Sequence, residues 1–412
     1  MHPKQIELIR ASLPILREQA VAITQAMYRR MFTANPEVAK MFNPSHMHPD
    51  GQQGALAGAI VAYAEHLDEL EVLHDALAVI VHKHVAVQVQ PAQYEVVGEH
   101  LLAAIAEVLG DAATPELMHT WAAAYRELAD VCIAAERGVY EQQRRTTAGW
   151  TGLREFEVIE RSVETPSITS LRVRPVDRGP LPSFAPGQHV SVALPGAESL
   201  ALRQYSIAQA PGGDSWRFVI KAEPARDQAE PGVVSTRLTQ ALELGAKLSL
   251  TMPCGCFTHD PAAGDHPIVL LAAGVGVTPL LSMAAASVVA KPERPLLFVH
   301  AALDRQSRPL DDDLRQLAER APGFRFVRIH EQPDATERLG ADYDHAGYLD
   351  HARLAELLPA DPRERAYVEC WTCGPVGFMV AVNEALERLG VPSARRHIEF
   401  FGPARPLARP VE

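Results

Sequence analysis

Between residues 141 and 155 the apolar pattern of the chain changes its period, and no fold built of one kind of layer accommodates both sides of that change. Before it, apolar residues recur every three or four positions, the spacing of a helix face. Pro91 suits the first turn of a helix whose face is Tyr94, Val97, Leu101, Ile105 and Val108, closed by Gly110. Pro115 opens another that carries Trp121, Tyr125, Leu128 and Cys132. After the change, "REFEVIERSVE" and "SITSLRVRPV" alternate as strands do. Short strands divided by Pro and Gly clusters continue to about residue 257, the pattern of an antiparallel barrel. A third regime then begins: "PIVLLAAGVGVTPLLSM", "RPLLFVHAA", "FRFVRIHEQ" and "RAYVECWTCGP" are apolar strands interleaved with helical segments, as in a parallel α/β sheet. The chain therefore reads as multidomain: an all-α domain over 1–140, a linker over 141–152, an antiparallel β-barrel over 153–258 and an α/β parallel-sheet domain over 262–412.

The 412 residues suffice for two or three such domains, and a net charge of −12 without a basic stripe argues against nucleic-acid binding. The opening "MHPKQIELIR" lacks the apolar core of a signal peptide, so a cytoplasmic location is expected. Residues Pro267 to Ala290 carry no charge and are long enough to span a bilayer, but Gly274, Gly276 and Pro279 interrupt them. A buried strand turning into a helix suits them better than membrane insertion. Among five cysteines, Cys254 with Cys256 and Cys370 with Cys373 leave open a four-thiolate zinc site or a redox pair, with the latter two placed at a strand end and the turn after it.

Three features carry candidate chemistry. In "VIVHKHV" (79–85), His84 extends the apolar stripe of Leu73, Leu77 and Ile80, whereas His82 points elsewhere. His84 is thus either a core histidine or a ligand. Glu136 continues the stripe of Cys132 on the last helix, and a carboxylate there requires a partner. "AAGVGVTP" follows a strand and opens a helix, so the backbone N–H groups of Gly274, Val275, Gly276, Val277 and Thr278, ahead of Pro279, can face an anion.

"RQYSI", "AGVGVTP", "CGPVGFM" and "EFFGP", in that order, resemble the ferredoxin reductase superfamily from about residue 150 onward. The resemblance implies an FAD site in which Tyr205 packs on the isoalloxazine, Arg203 meets the pyrophosphate and Ser206 bonds the ring edge, with Gln204 in the same strand. It implies an NAD(P)H site at Gly274 to Pro279, with Cys373, Gly374 and Pro375 at the nicotinamide end. Glu399 and Phe400, leading the terminal Phe401, Gly402 and Pro403, approach the flavin. Three departures stand out: His189 in "PGQH", Cys256 in place of an acidic residue, and a longer loop in "EPARDQAEPGVVS".

With "AMYRRMFTANPEVAKMFN" and "VHKHVAVQVQPAQY" ahead of that reductase, the whole chain resembles the bacterial flavohemoglobins. This implies a globin holding haem b, with His84 as the proximal iron ligand, Tyr94 and Glu136 behind it, Tyr28 as the distal tyrosine and Phe42 packing on the haem. Gln52 matches the distal helix, with Gln53, His46 and His48 as alternatives. Lys83 and Glu399 match residues lying between the two cofactors. The implied activity is that of a monomeric nitric oxide dioxygenase: NAD(P)H reduces FAD, FAD reduces haem iron, and O₂ oxidises nitric oxide to nitrate, detoxifying it. An oxygen or redox sensor or store, or a flavin reductase for external acceptors, are the alternatives. "LLFVHAALDRQ" offers no acidic residue at the end of the second nucleotide strand and has Arg305 nearby, leaving NADH and NADPH undecided.

Overall fold

A computed structural model describes residues 1–194, 202–223 and 233–402. They divide into two compact units, a mainly helical one over 1–153 that also takes in 193–194, 202–203 and 402, and a second built from 154–192 and 204–401.

The helical unit contains α1 (Pro3–Ala34), α2 (Pro36–Ala39), α3 (Gly54–Glu65), α4 (His74–Ala86), α5 (Pro91–Leu109) and α6 (Pro115–Arg145). Proline occupies the first turn of α1, α2, α5 and α6, where its missing N–H costs nothing. The Thr114 side chain caps α6 by accepting from Leu117 N, and Gly110 ends α5 at φ +54°, a conformation that side chains disfavour. Helix α6 runs on to Arg145, its last two arginines lying where the helix dipole is negative and the Tyr140 hydroxyl bonding the Val89 carbonyl. Ile9, Leu16, Ile23, Met27, Leu101, Ile105 and Trp121 form the core. At Gly98 the Tyr125 ring lies so close to the backbone that a Cβ would come within 2.4 Å of its Cε1, so bare backbone sets the spacing of α5 and α6.

The second unit holds two sheets. One is antiparallel, made of β1 (Arg154–Thr165), β2 (Ile168–Pro175), β3 (His189–Ala193), β4 (Arg203–Ser206), β5 (Trp216–Lys221) and β6 (Lys247–Leu250) in the order β4-β3-β6-β1-β2-β5, with α7 (Val233–Thr236) preceding β6. Phe156 stacks on Trp216 at 5.6 Å inside it. The other sheet has the order β10-β9-β8-β7-β11-β12, from β7 (Ile268–Ala273), β8 (Leu296–Ala302), β9 (Phe324–His330), β10 (His345–Ala346), β11 (Glu369–Cys373) and β12 (Arg396–Glu399). Its strands are parallel, and α8 (Val277–Ala290), α9 (Asp311–Arg320), α10 (His351–Leu357), α11 (Pro362–Arg365) and α12 (Val376–Arg388) connect or flank them. All six residues of β7 are buried, because apolar clusters cover both faces of the sheet. The chain builds outward from β7 to β10 and then returns to the other side of β7 as β11. The strand order therefore reverses between β7 and β11, where α/β sheets open a ligand crevice.

The uncharged run from Pro267 is thus β7, a tight turn and α8, and among the described residues no single helix is long and apolar enough to cross a membrane. All five cysteines are free thiols, and the described residues contain no group of three or more His, Cys, Asp or Glu that could hold a metal ion, which removes the thiolate zinc site. Cys370 and Cys373 both lie within β11, rather than one in the following turn. Three apart in a strand, they point to opposite faces and form no redox pair.

Gly98→Ala is expected to cost about 1–3 kcal/mol through overpacking against Tyr125. Faster amide exchange along both α5 and α6 would register it; exchange equal to wild type would show that the ring simply swings aside.

Candidate functional site

His84 lies in the last turn of α4, and the stripe it continues, through Leu77 and Ile80, is only half-buried. A half-buried apolar stripe that ends in a histidine has the chemistry to pack against a flat apolar group. The His84 side chain is 35% exposed, whereas Glu136 behind it is 4% exposed. His84 Nδ1 lies 2.8 Å from Glu136 Oε1 and 2.9 Å from the Tyr94 hydroxyl, and that hydroxyl donates to the same carboxylate oxygen at 2.5 Å. Nδ1 faces an acceptor-only carboxylate and so carries the ring proton, leaving the Nε2 lone pair for a metal. Burial and the bond to Glu136 push the Tyr94 hydroxyl far above its ordinary range. Tyr125 in turn donates to the Tyr94 carbonyl at 2.6 Å, tying α6 to α5 beside the cluster. His82 lies on another face, where burial lowers its pKa. This donor set and its surroundings fit a haem.

Tyr28, buried in α1, packs on Phe32 and Phe42 with ring centroids 5.5 Å away in each case. Its hydroxyl is pushed up to about 12 by burial, against an opposing hydrogen bond from Gln52. Residues Pro49–Gln53 form a distorted turn before α3, with Gly51 at non-helical φ −111°, ψ −127°. A Cβ at Gly51 would come within 2.2 Å of the His46 carbonyl. The break falls at Gly51, so Gln52 and Gln53 carry helical backbone on into α3 and present different faces of it. The Gln52 side chain reaches Tyr28, while the Gln53 carbonyl accepts from Thr24 Oγ1 at 3.0 Å, and His48 is exposed.

Strand β4 carries Arg203, Gln204, Tyr205 and Ser206, with Gln204 exposed, Arg203 and Tyr205 half-buried and Ser206 buried. His189 opens β3, exchanging backbone bonds of 2.9 and 2.8 Å with Cys254. Cys256 is exposed. Most of the loop in "EPARDQAEPGVVS" lies outside the described residues. At the sheet reversal, Gly274 takes φ +52° and the Gly276 backbone approaches so closely that a Cβ would fall 2.2 Å from the Cys373 carbonyl. Both positions therefore require glycine. Thr278 Oγ1 donates to the Val275 carbonyl at 3.0 Å, so Val275 to Thr278 form the wound turn that leads into α8 with Val277 and Pro279 buried. Cys373 ends β11, Gly374 follows it, and Pro375 is the residue before α12. Glu399 ends β12, Phe400 is half-buried, Phe401 exposed and Gly402 at φ +134°; Pro403 lies outside the described residues.

The sequence reasoning missed His300. Fully buried in β8, it donates from Nε2 to the Gly274 carbonyl at 3.0 Å, and burial depresses its pKa to about 4, so it stays neutral while it braces the glycine turn. A single polar residue inside the apolar run "LLFVHAA" was the available signal.

The globin family matches residues 25–132, the oxidoreductase FAD-binding domain family 156–259 and the oxidoreductase NAD-binding domain family 270–384. Together with the geometry, these define a globin joined to an FAD- and NAD-binding oxidoreductase, an enzyme of three cofactor-binding parts. A flavohemoprotein of Deinococcus radiodurans is 39% identical over 408 residues, covering 98% of both chains, and one of Chromobacterium violaceum is 40% identical, covering 96% of both. A flavohemoglobin from Malassezia yamatoensis, solved with bound FAD and haem, matches with a TM-score of 0.82 at 27% identity, over 98% of this chain and 100% of that one. The FAD/NAD-binding domain of a nitric oxide dioxygenase from Vibrio cholerae matches 60% of this chain and 97% of its own length, with a TM-score of 0.52 at 28% identity. The chain belongs to the flavohemoprotein family.

A phenol whose folded pKa is raised holds its proton more tightly than the unfolded chain does. The stability Tyr28 contributes is therefore complete below pH 10 and is lost as pH climbs toward 12. Against Tyr28→Phe, the wild-type helical unit should lose roughly 2–3 kcal/mol more between those limits. Parallel stability curves for the two proteins would refute this.

Proposed function

We propose that the chain is a nitric oxide dioxygenase of the cytoplasm, working as a monomer: one NADH or NADPH with two NO and two O₂ leaves oxidised coenzyme, a proton and two nitrate ions. When bound, FAD supplies the conversion of a hydride into single electrons and haem the one-electron chemistry of dioxygen. The observation that carries the reading is the Glu136 and Tyr94 pair on His84 Nδ1. A carboxylate on that nitrogen makes Nε2 a stronger donor to iron, which favours oxygen activation over simple storage.

Each further part is assigned to a named group. Tyr28 keeps its proton and donates it as a hydrogen bond to negative charge developing on oxygen, with Gln52 orienting its hydroxyl. Phe42, against the Tyr28 ring, packs on the porphyrin and limits water. Tyr205 offers a plane to the isoalloxazine, Ser206 a hydrogen bond to its edge and Arg203 a guanidinium fork to the FAD pyrophosphate. The turn from Gly274 to Pro279 holds the coenzyme phosphates against backbone N–H groups. Cys373, Gly374 and Pro375 then bound the nicotinamide end.

The test is aerobic nitric oxide consumption by the purified holoenzyme, with nitrate measured against NAD(P)H used. His84→Ala is expected to lose the Soret band and nitric oxide consumption while its flavin still bleaches with NAD(P)H, and Glu136→Leu to lose about 10–100-fold in turnover. Normal O₂ binding with slow nitric oxide loss would make the protein an oxygen store or sensor. Absence of a Soret band in wild type would leave a flavin reductase for external acceptors.

A further inference from the structure

We propose that the coenzyme site selects NADH over NADPH, with Glu331 as the specificity-determining residue; this rests on the reading of the second unit as a nicotinamide-dependent flavin reductase. Strands β8, β9 and β10 end level with one another, Ala302 beside His330 and His330 beside Ala346. Glu331 is the next residue after β9. Its backbone N–H bonds the Ala302 carbonyl at 2.9 Å, and Gly347 N bonds the His330 carbonyl at 2.9 Å, so Glu331 sits on the carboxyl edge between the ends of β8 and β10. That edge is continuous, through β7, with the glycine turn at Gly274. A dinucleotide whose pyrophosphate lies at the turn extends its adenosine along the ends of the neighbouring strands, where a carboxylate binds the ribose 2′-hydroxyl and repels a 2′-phosphate.

Two features strengthen the assignment. Tyr348, 71% exposed, donates to Glu331 Oε1 at 2.5 Å, fixing the carboxylate in place with its second oxygen left to accept from a ribose. The cation that would suit a phosphate, Arg305, has its guanidinium 3.3 Å from the carboxylate of Asp342, which offsets its charge at this edge. No lysine follows Lys291 in the sequence.

The experiment measures binding of NAD⁺ and NADP⁺ to the FAD-loaded full chain by calorimetry, alongside anaerobic flavin bleaching by NADH and NADPH. NADP⁺ is expected to bind roughly tenfold or more weakly than NAD⁺, with the same order in bleaching. Glu331→Gln should narrow the gap and Glu331→Arg close or invert it, while Glu319→Gln, on the exposed face of α9, leaves the ratio unchanged. Equal wild-type affinities, or a ratio indifferent to both Glu331 variants, would overturn the proposal; the wild-type ratio decides even where a variant fails to fold. Bleaching by neither coenzyme would remove the reductase reading and this inference together. Loss of nitric oxide turnover with the NADH preference intact would remove only the reaction proposed above.

Discussion

A buried carboxylate bonded to an imidazole is the interaction on which the helical unit turns. Glu136 is almost wholly out of water, and a carboxylate there is tolerated only with its hydrogen bonds made. His84 and Tyr94 make them, and each comes from a different helix. The packing of α4, α5 and α6 must therefore be correct to within a few tenths of an ångström. Gly98 allows the close approach of α5 to α6 and Tyr125 ties them by its bond to the Tyr94 carbonyl, so packing and chemistry are set by the same contacts. Removing Glu136 would leave the Tyr94 hydroxyl and His84 Nδ1 competing for one another, with no anion to fix which nitrogen carries the proton.

The second unit solves its problem with backbone instead. Where β7 meets β11 the strand order reverses, and the glycine turn packs directly on the end of β11 because Gly276 has no side chain to set against the Cys373 carbonyl. Neutral His300 holds the Gly274 carbonyl from below. The two sheets of this unit are joined by Arg217 on β5, whose guanidinium bonds Glu164 on β1 at 3.0 Å and Asp313 on α9 at 2.6 Å. Arg217 and Glu164 are largely removed from solvent, while Asp313 is half-buried. The clamp is for that reason directional and resistant to salt, unlike an exposed ion pair.

What could be read from the sequence follows the range of the interactions. Helix faces and buried strands depend on neighbours three or four apart, or two apart, so the stripes of α4, α5 and α6 and the all-buried β7 were legible, and Glu136 showed as a misfit on an apolar face. The choice between Gln52 and Gln53 was not, because it depends on which of them meets Tyr28, a residue of α1 far away in the sequence. The Arg217 clamp, the His300 brace and the Glu331–Tyr348 pair join residues 17 to 96 positions apart, and of these only His300, polar within an apolar strand, stands out in its local composition. The cysteine spacings misled for a related reason: a CxxC motif acquires its chemistry in a turn, and here it is drawn out along a strand.

One device recurs in both units. Desolvation keeps Tyr28 protonated, pushed up to about 12, and holds His300 neutral, down near 4; it also raises the Cys373 thiol well above its ordinary range. Burial works in opposite directions on an acid and a base, but the outcome is the same, since it always disfavours the charged form. Groups that stay neutral across the physiological range contribute fixed dipoles rather than variable charges. A protein that moves electrons needs this, because any nearby group that changed its proton count would shift the potentials it surrounds.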